Sequence, residues 1–378
     1  MTPLNILHVF RSPVGGLFRH VVDLAREQAA RGHRVGLIAD SITGGERADA
    51  TLAALVPALA LGFTRIPMSR HLGLRDVRAV AHATRRAAET RADILHGHGA
   101  KGGAFVRLVL GDHHAVRAYT PHGGSLVFGK DSLAGKFYLA AERALMRRGD
   151  LFLFESEFSA RAFRDQIGVP GGLIRVARNG VSRREFETVV AQPDATDLVF
   201  LGELRHIKGI DVLVDAIAQL RRDGRAVSAT LVGSGPDRDT LQAQVAALGL
   251  TDLIRFKAAM PGREALSLGR IMVVPSRAES LPYVVLEAAA GCVPLIATAV
   301  GGIGEILGPQ AAALVPAGDA GALAQAIAYK LDDRAAAAES ASRLRERVAT
   351  TFSIDSMVDG VLGAYADALE NLRQSGRH

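Results

Sequence analysis

Short runs of branched apolar residues alternate with longer stretches of helical periodicity along nearly the whole chain, and this alternation restricts the fold more than any other property of the sequence. Strands that follow one another through a helix lie parallel, because only a long crossover carries the chain back to the start of the neighbouring strand. A first series of seven strands is expected at Ile6–Phe10, Arg34–Ala39, Thr64–Met68, Ile94–Gly97, Val116–Thr120, Leu151–Glu155 and Leu173–Ala177. A second series follows at Leu198–Gly202, Ala229–Val232, Leu253–Phe256, Ile271–Pro275, Leu295–Ala297 and Ala313–Val315. The polar stretch Asn179–Pro193 separates them, as a domain seam does. Beyond Ala320 the pattern is wholly helical and ends in the amphipathic stretch Ser353–Gln374. The expected fold is α/β: two Rossmann-like, doubly wound domains facing across a cleft, residues 1–183 and 184–352, with ligands at the carboxyl ends of the strands.

A length of 378 residues suits two such cores. The single cysteine, Cys292, rules out a disulfide framework or a multi-cysteine metal site and fits a reducing compartment. The opening MTPLNILHVFR has no basic leader followed by an apolar core, so exposure to the cytosol is expected. The longest apolar stretch, Val284–Gly304, carries Glu287, Pro294 and several glycines. A charge at the centre of a membrane helix alone costs about 2.5 kcal/mol or more, so no transmembrane helix is expected.

Charge is unevenly shared. Residues 1–180 hold 25 Lys and Arg against 15 Asp and Glu, and residues 181–378 hold 20 against 24, giving +10 and then −4. A basic first half suits anionic lipid headgroups, and it equally describes ordinary solvated helix faces. With no Trp and 5% aromatic residues there is little to stack on bases, and nucleic acid is not expected as a partner.

Four loops after strands carry residues suited to chemistry. Pro13-Val14-Gly15-Gly16 precedes a helix expected over Leu17–Arg31, and paired glycines there let free amides approach an anion or simply make a tight turn. Gly202–Gly209 leads into a helix expected over Ile210–Leu220 and places the cations Arg205 and Lys208 where a diphosphate could be clamped, though solvated surface charge reads the same. Gly233-Ser-Gly-Pro236 begins like a dinucleotide fingerprint and then fails it, because Arg238 holds the third glycine position. Pro275–Glu287 runs from a strand end into a helix that Pro282 is expected to open within its first turn. Glu279 then lies in the loop and Glu287 inside the helix. One carboxylate could accept from sugar hydroxyls and the other from a ribose, with the amides between them facing phosphate; both could also be plain surface charge.

Taken in this order, Gly15-Gly16, Arg31–Val35, His122-Gly123, Asn179-Gly-Val181, Lys208-Gly209, Gly233–Pro236, and Glu279–Glu287 continuing to Thr298 and Gly301-Gly302 resemble glycosyltransferase family 4, the retaining GT-B type that builds bacterial polysaccharides and glycolipids. The resemblance runs nearly end to end. It implies a metal-independent hexosyltransferase with no cofactor beyond its nucleotide diphosphate sugar substrate, UDP being the commonest base in the family. It further implies that Glu279 binds the donor sugar and Glu287 the ribose. Lys208, with Arg205, would hold the diphosphate, Gly15 and Gly16 the phosphates and sugar through amides, and Gly233 and Leu281 would belong to the donor pocket. His122 would sit beside the reacting sugar, although a histidine before glycine could merely close a turn. Residues 353–378 would pack back on the first domain. His96, His98, His113 and His114 have a spacing that suits a metal, which the family does not need.

Two departures stand out. Glu203 occupies the place where the family usually has arginine, leaving Arg205 to supply that charge, and Leu281-Pro282 replaces the usual Phe-Gly, removing one amide donor. Retention comes with the family; no carboxylate is clearly placed as a nucleophile, so front-face attack by the acceptor hydroxyl is expected. The acceptor is expected to be a sugar or a polyprenyl-linked saccharide at the inner face of a membrane. Alternatives are a GT-B sugar-nucleotide epimerase or hydrolase, and a non-catalytic scaffold of the same fold.

Overall fold

The structure, a computed structural model, describes residues 2–70, 73–111, 114–123 and 133–375. The chain divides into two units, Met1–Asn179 with Asp355–His378, and Gly180–Ile354.

In the first unit the strands are β1 (Asn5–Phe10), β2 (Arg34–Asp40), β3 (Phe63–Ile66), β4 (Ile94–His98), β5 (Val116–Thr120), β6 (Leu151–Phe154) and β7 (Leu173–Val176). Between them run helices α1 (Gly15–Ala30), α2 (Gly45–Leu55), α3 (Leu74–Thr90), α4 (Gly99–Leu108), α5 (Leu133–Met146) and α6 (Glu157–Gln166). The strands form one parallel sheet in the order β3-β2-β1-β4-β5-β6-β7. The winding therefore reverses between β1 and β4, the position at which doubly wound sheets generally bind their ligands. Ile6, Leu7, Val9 and Phe10 of β1 are all buried, the mark of a strand covered on both faces. Helix α4 lies against the sheet because glycines let it: a Cβ on Gly102 would stand 2.2 Å from the Val9 carbonyl oxygen.

The second unit repeats the plan with β8 (Thr196–Leu201), β9 (Ala229–Val232), β10 (Ile254–Lys257), β11 (Gly269–Val274) and β12 (Leu295–Ala297). Its helices are α7 (Ile210–Arg222), α8 (Arg238–Ala247), α9 (Gly262–Leu266), α10 (Tyr283–Ala290), α11 (Ile303–Leu307), α12 (Ala320–Asp332) and α13 (Arg334–Thr351). The order β10-β9-β8-β11-β12 puts the reversal between β8 and β11. Helix α7 buries Ile210, Leu213, Val214, Ile217 and Leu220 along one stripe, each contributing about 1.5–3 kcal/mol of burial. Asp319 and Asp333 cap α12 and α13 by accepting from the Ala322 and Ala336 amides at 2.9 and 2.8 Å.

The last helix, α14 (Ile354–Gln374), belongs to the first unit from Asp355 onward. It buries Val358, Val361 and Tyr365, and Arg31 forms ion pairs with its Asp355 and Asp359.

Three local expectations are corrected. Ala313–Val315 is not a strand: Gly308–Ala313 forms a 3-10 helix with Pro309 near its start, and only Val315 bridges Thr298. The 3-10 segment is alanine-rich and lacks the branched residues that fit a pleated ladder. Helix α1 begins at Gly15 rather than Leu17, so both glycines lie in its first turn. Pro282 is the residue before α10 and not part of its first turn; its ψ of 125° is extended.

Candidate active site

In the second unit, the loops after β8, β9, β11 and β12 touch backbone to backbone. A Cβ on Gly209 would lie 2.0 Å from the Pro275 carbonyl oxygen, one on Gly233 1.9 Å from that of Gly202, and one on Gly301 2.0 Å from that of Glu279. All three glycines have positive φ, so neither the space nor the backbone admits another residue. The strand ends are thereby drawn together at the point where the winding reverses.

Lys208 and Glu279 meet there. The Lys208 Nζ donates to Glu279 Oε1 at 2.7 Å, and the Ser276 hydroxyl donates to the same oxygen at 2.7 Å. The carboxylate side is 9% exposed and the ammonium side 26%, so the pair is open enough to be re-partnered by a ligand. Arg277 fixes the arrangement. Its guanidinium grips Asp211 through two parallel hydrogen bonds of 2.6 Å, its Nη1 also donates to the His206 carbonyl, and its amide donates to the Ile207 carbonyl. Burial raises the Asp211 carboxyl, but the hydrogen bonds and charge of Arg277 more than offset it and leave the group below its usual range. Arg205 lies apart from this arrangement: half exposed, it pairs with Glu203 at 3.4 Å, so the acid that departs from the family pattern neutralises the cation meant to compensate for it. Glu287 lies in α10 and directs its carboxylate at Gly262, where a Cβ would be 2.8 Å from Oε2. Leu281 is buried in the same loop.

In the first unit, Gly15 and Gly16 open α1 at the reversal between β1 and β4, and a Cβ on Gly15 would meet nothing within 4 Å. His122 follows β5 in the turn before Gly123, with a φ of 50°, a left-handed conformation that a histidine adopts only at a cost. Four more imidazoles converge with it. His8 of β1 pairs in register with His96 of β4, which brings His98 two residues along beside the end of β1, and α1 delivers His20. His8 Nε2 lies 2.8 Å from Gln28 Oε1, and its Nδ1 lies 2.9 Å from His98 Nε2. His98 Nδ1 is 3.1 Å from His122 Nε2. His20 Nδ1 meets Asn179 Oδ1 at 3.0 Å, and His96 lies between Tyr365 Oη at 2.7 Å and Thr120 Oγ1 at 2.8 Å. Burial pushes His8 down to about 4 and His20 and His122 to about 3, and it holds His96 and His98 well below the usual 6.5. For all but His122 the neighbouring histidines add to the effect. The whole group is neutral at pH 7.

The metal-like spacing of the sequence is thus redistributed. His96 and His98 meet His8, His20 and His122 instead of His114, which is exposed; His113 lies outside the described residues. Two triplets, His8 with His96 and His98, and His20 with His98 and His122, bring nitrogens within 4.8 Å of one another, close enough to share an ion. His8, His20, Gln28 and Arg277 did not stand out in the sequence. The available signal was the period-two His-Gly-His of β4, which puts two imidazoles on one face of a strand that pairs with β1.

Residues 195–333 match the family model described as glycosyl transferases group 1, and residues 14–185 match that of glycosyltransferase family 4. The chain is a GT-B glycosyltransferase of the family 4 type. Over 392 residues this glycosyltransferase is 26% identical to the glycogen synthase of Mycobacterium tuberculosis, covering 96% of the chain and 93% of the relative. It is 29% identical over 229 residues to a putative colanic acid biosynthesis glycosyltransferase, WcaL, of Escherichia coli, covering 57% and 56%. Among solved structures, Anabaena Alr3699/HepE in complex with UDP and glucose is similar with a TM-score of 0.79 at 19% identity, covering 96% of this chain and all of that one. The glycosyltransferase is an enzyme of the hexosyltransferase class. Among its described residues no helix is long and apolar enough to cross a membrane.

Proposed function

We propose that the enzyme transfers a hexose from a UDP-sugar, with retention and without a metal, to a sugar or lipid-linked saccharide in polysaccharide or glycolipid synthesis. The observation that carries this reading is the Lys208–Glu279 pair at the winding reversal of the second sheet, held by Arg277 and by loops that only glycine permits. Lys208 supplies the positive charge that a departing diphosphate needs, and the amino end of α7 behind Gly209 adds to it. Glu279, already an acceptor for two donors, accepts from sugar hydroxyls when Lys208 turns to phosphate. Glu287 accepts from the ribose, and Gly15, Gly16, Gly233 and the Leu281 amide complete the contacts of the donor. Arg205 is a secondary phosphate contact at most, since Glu203 shares its charge. His122 serves the reacting sugar, and the acceptor hydroxyl attacks from the face that the leaving group vacates.

The choice of UDP is supported by the Anabaena structure, whose bound ligands are UDP and glucose, and the polymer product by the glycogen synthase and colanic acid relatives. An anionic membrane surface as the place of the acceptor is supported by α3. Its outer face exposes Leu74 and Val77 at 86% and 67%, with Arg75, Arg78 and Arg85 exposed beside them.

The test is turnover of UDP-, GDP- and ADP-hexoses without added metal, with the anomeric configuration of the product read by NMR. One donor should be used, with retention. Lys208→Met should lower kcat by about 10²–10³-fold, and Glu287→Ala should raise the donor KM. Inversion of configuration, or full activity in Lys208→Met, would refute the reading.

A further inference from the structure

The first unit contains a connected line of side chains, Gln28–His8–His98–His122, joined at 2.8, 2.9 and 3.1 Å and leading from the buried side of α1 to the strained turn after β5. An uncharged imidazole carries one proton, so each link fixes the next. The Gln28 Oε1 has no hydrogen and can only accept, which places the proton of His8 on Nε2 and leaves its Nδ1 as an acceptor. His98 must then donate from Nε2 to His8, leaving its own Nδ1 as an acceptor. That nitrogen faces Nε2 of His122, which must donate. We propose that Gln28, His8 and His98 are positioning residues that hold His122 as the uncharged Nε2–H tautomer, so that its Nδ1 presents a lone pair to a hydroxyl of the donor sugar.

The consequence suits the chemistry of glycosyl transfer, in which positive charge develops on the sugar ring. An imidazolium at this place would oppose that charge; a neutral acceptor does not, and it orients the sugar through one of its hydroxyls. Burial keeps all three imidazoles uncharged, and the positive φ of His122 is tolerated because the ring is held from behind. The same nitrogens could in principle converge on a metal. Both nitrogens of His8 and both of His98 are already engaged within the line, however, which favours the relay. The sugar-facing half of the proposal rests on the role given to His122 above, whereas the tautomer does not.

The two halves are tested separately. Nitrogen-15 spectra of the histidine-labelled full chain without substrate, assigned with His122→Asn, should show the His122 Nδ1 as a bare, pyridine-type nitrogen and its Nε2 as proton-bearing, unchanged from about pH 6 to about pH 8. A proton on Nδ1, a mixture of tautomers, an imidazolium, or stoichiometric metal in the purified protein would overturn the relay. In Gln28→Met the pattern should become a mixture and kcat should fall about tenfold with the donor KM nearly unchanged, the size of one lost hydrogen bond to a hydroxyl. Gln28→Glu, which can again only accept, should restore both. If the tautomer scrambles in Gln28→Met while kcat holds, the sugar-facing half is overturned and the relay stands. Should the Gln28 variants not fold, the wild-type spectrum still decides the tautomer.

Discussion

Acidification should unfold this enzyme from the histidine cluster outward. His8, His20, His96 and His98 are buried and His122 is half-buried; all five are neutral, with His8 pushed down to about 4 and His20 and His122 to about 3, whereas in the unfolded chain each titrates near 6.5. Because the folded pKa values are depressed, the unfolded state binds more protons below pH 6.5. The stabilisation is complete above that pH and is lost as pH falls through the window from 6.5 toward 4 and 3. At pH 5 an imidazole that cannot protonate in the folded state forfeits about 2 kcal/mol relative to neutrality, hence about 10 kcal/mol for the five together. That is comparable with the whole stability of an ordinary domain, about 5–15 kcal/mol. The chain has no Trp, so far-UV circular dichroism during urea unfolding at about pH 7.5, 6 and 5 is the natural assay, with hydrogen exchange of the β4 amides to localise the loss. Stability should fall steeply between the last two conditions, with a slope of several protons per chain. His8→Asn should reduce that slope by about one proton. A slope below one proton in the native sequence would refute the claim that the cluster is held neutral.

Other expectations follow from packing. Arg107 and Glu142 form a buried ion pair at 2.6 Å beneath the Tyr119 ring, so Arg107→Met should cost about 3–5 kcal/mol by stranding the carboxylate, and adding Glu142→Leu should recover most of it in thermal melts. Gly209 and Gly249 share nearly the same positive φ, but only the first faces a carbonyl at 2.0 Å. Gly249→Ala should therefore cost about 1 kcal/mol, and Gly209→Ala markedly more, with loss of donor binding measured by calorimetry. Removing residues 354–378 exposes the partners of Val358, Val361 and Tyr365 and deprives His96 of the Tyr365 hydroxyl. At about 1.5–3 kcal/mol for each large side chain, the first unit should lose its cooperative melt.

The strands were legible because parallel strands covered on both faces are written as branched apolar runs, and Leu198–Gly202 or Ile271–Pro275 can be read without knowing their partners. Ala313–Val315 misled for a physical reason: three small or branched residues look like a short strand, but Pro309 and the alanines before it settle into a 3-10 turn. Helix α1 starts two residues before its first apolar residue because paired glycines, which suit a tight turn, also suit the first turn of a helix, where no side chain is needed. At the candidate site, single residues were visible and their relations were not. Nothing local says that Lys208 meets Glu279 or that Glu203 reaches Arg205, since the first contact spans two strands and the second depends on rotamers. The histidine cluster was hidden most completely, because its members come from β1, α1, β4 and the turn after β5, and only the register of β1 against β4 brings them together.

The first unit is completed by α14, which follows the whole of the second unit in the sequence. A ribosome releases Met1–Asn179 long before Asp355, so the nascent amino-terminal sheet waits through the synthesis of the whole second unit with the groove for α14 uncovered and His96 lacking the Tyr365 hydroxyl. The second unit, continuous from Gly180 to Ile354, is free to fold on emergence. Vectorial synthesis therefore completes the later unit first, and the earlier one remains the more exposed to proteases and chaperones until α14 has emerged.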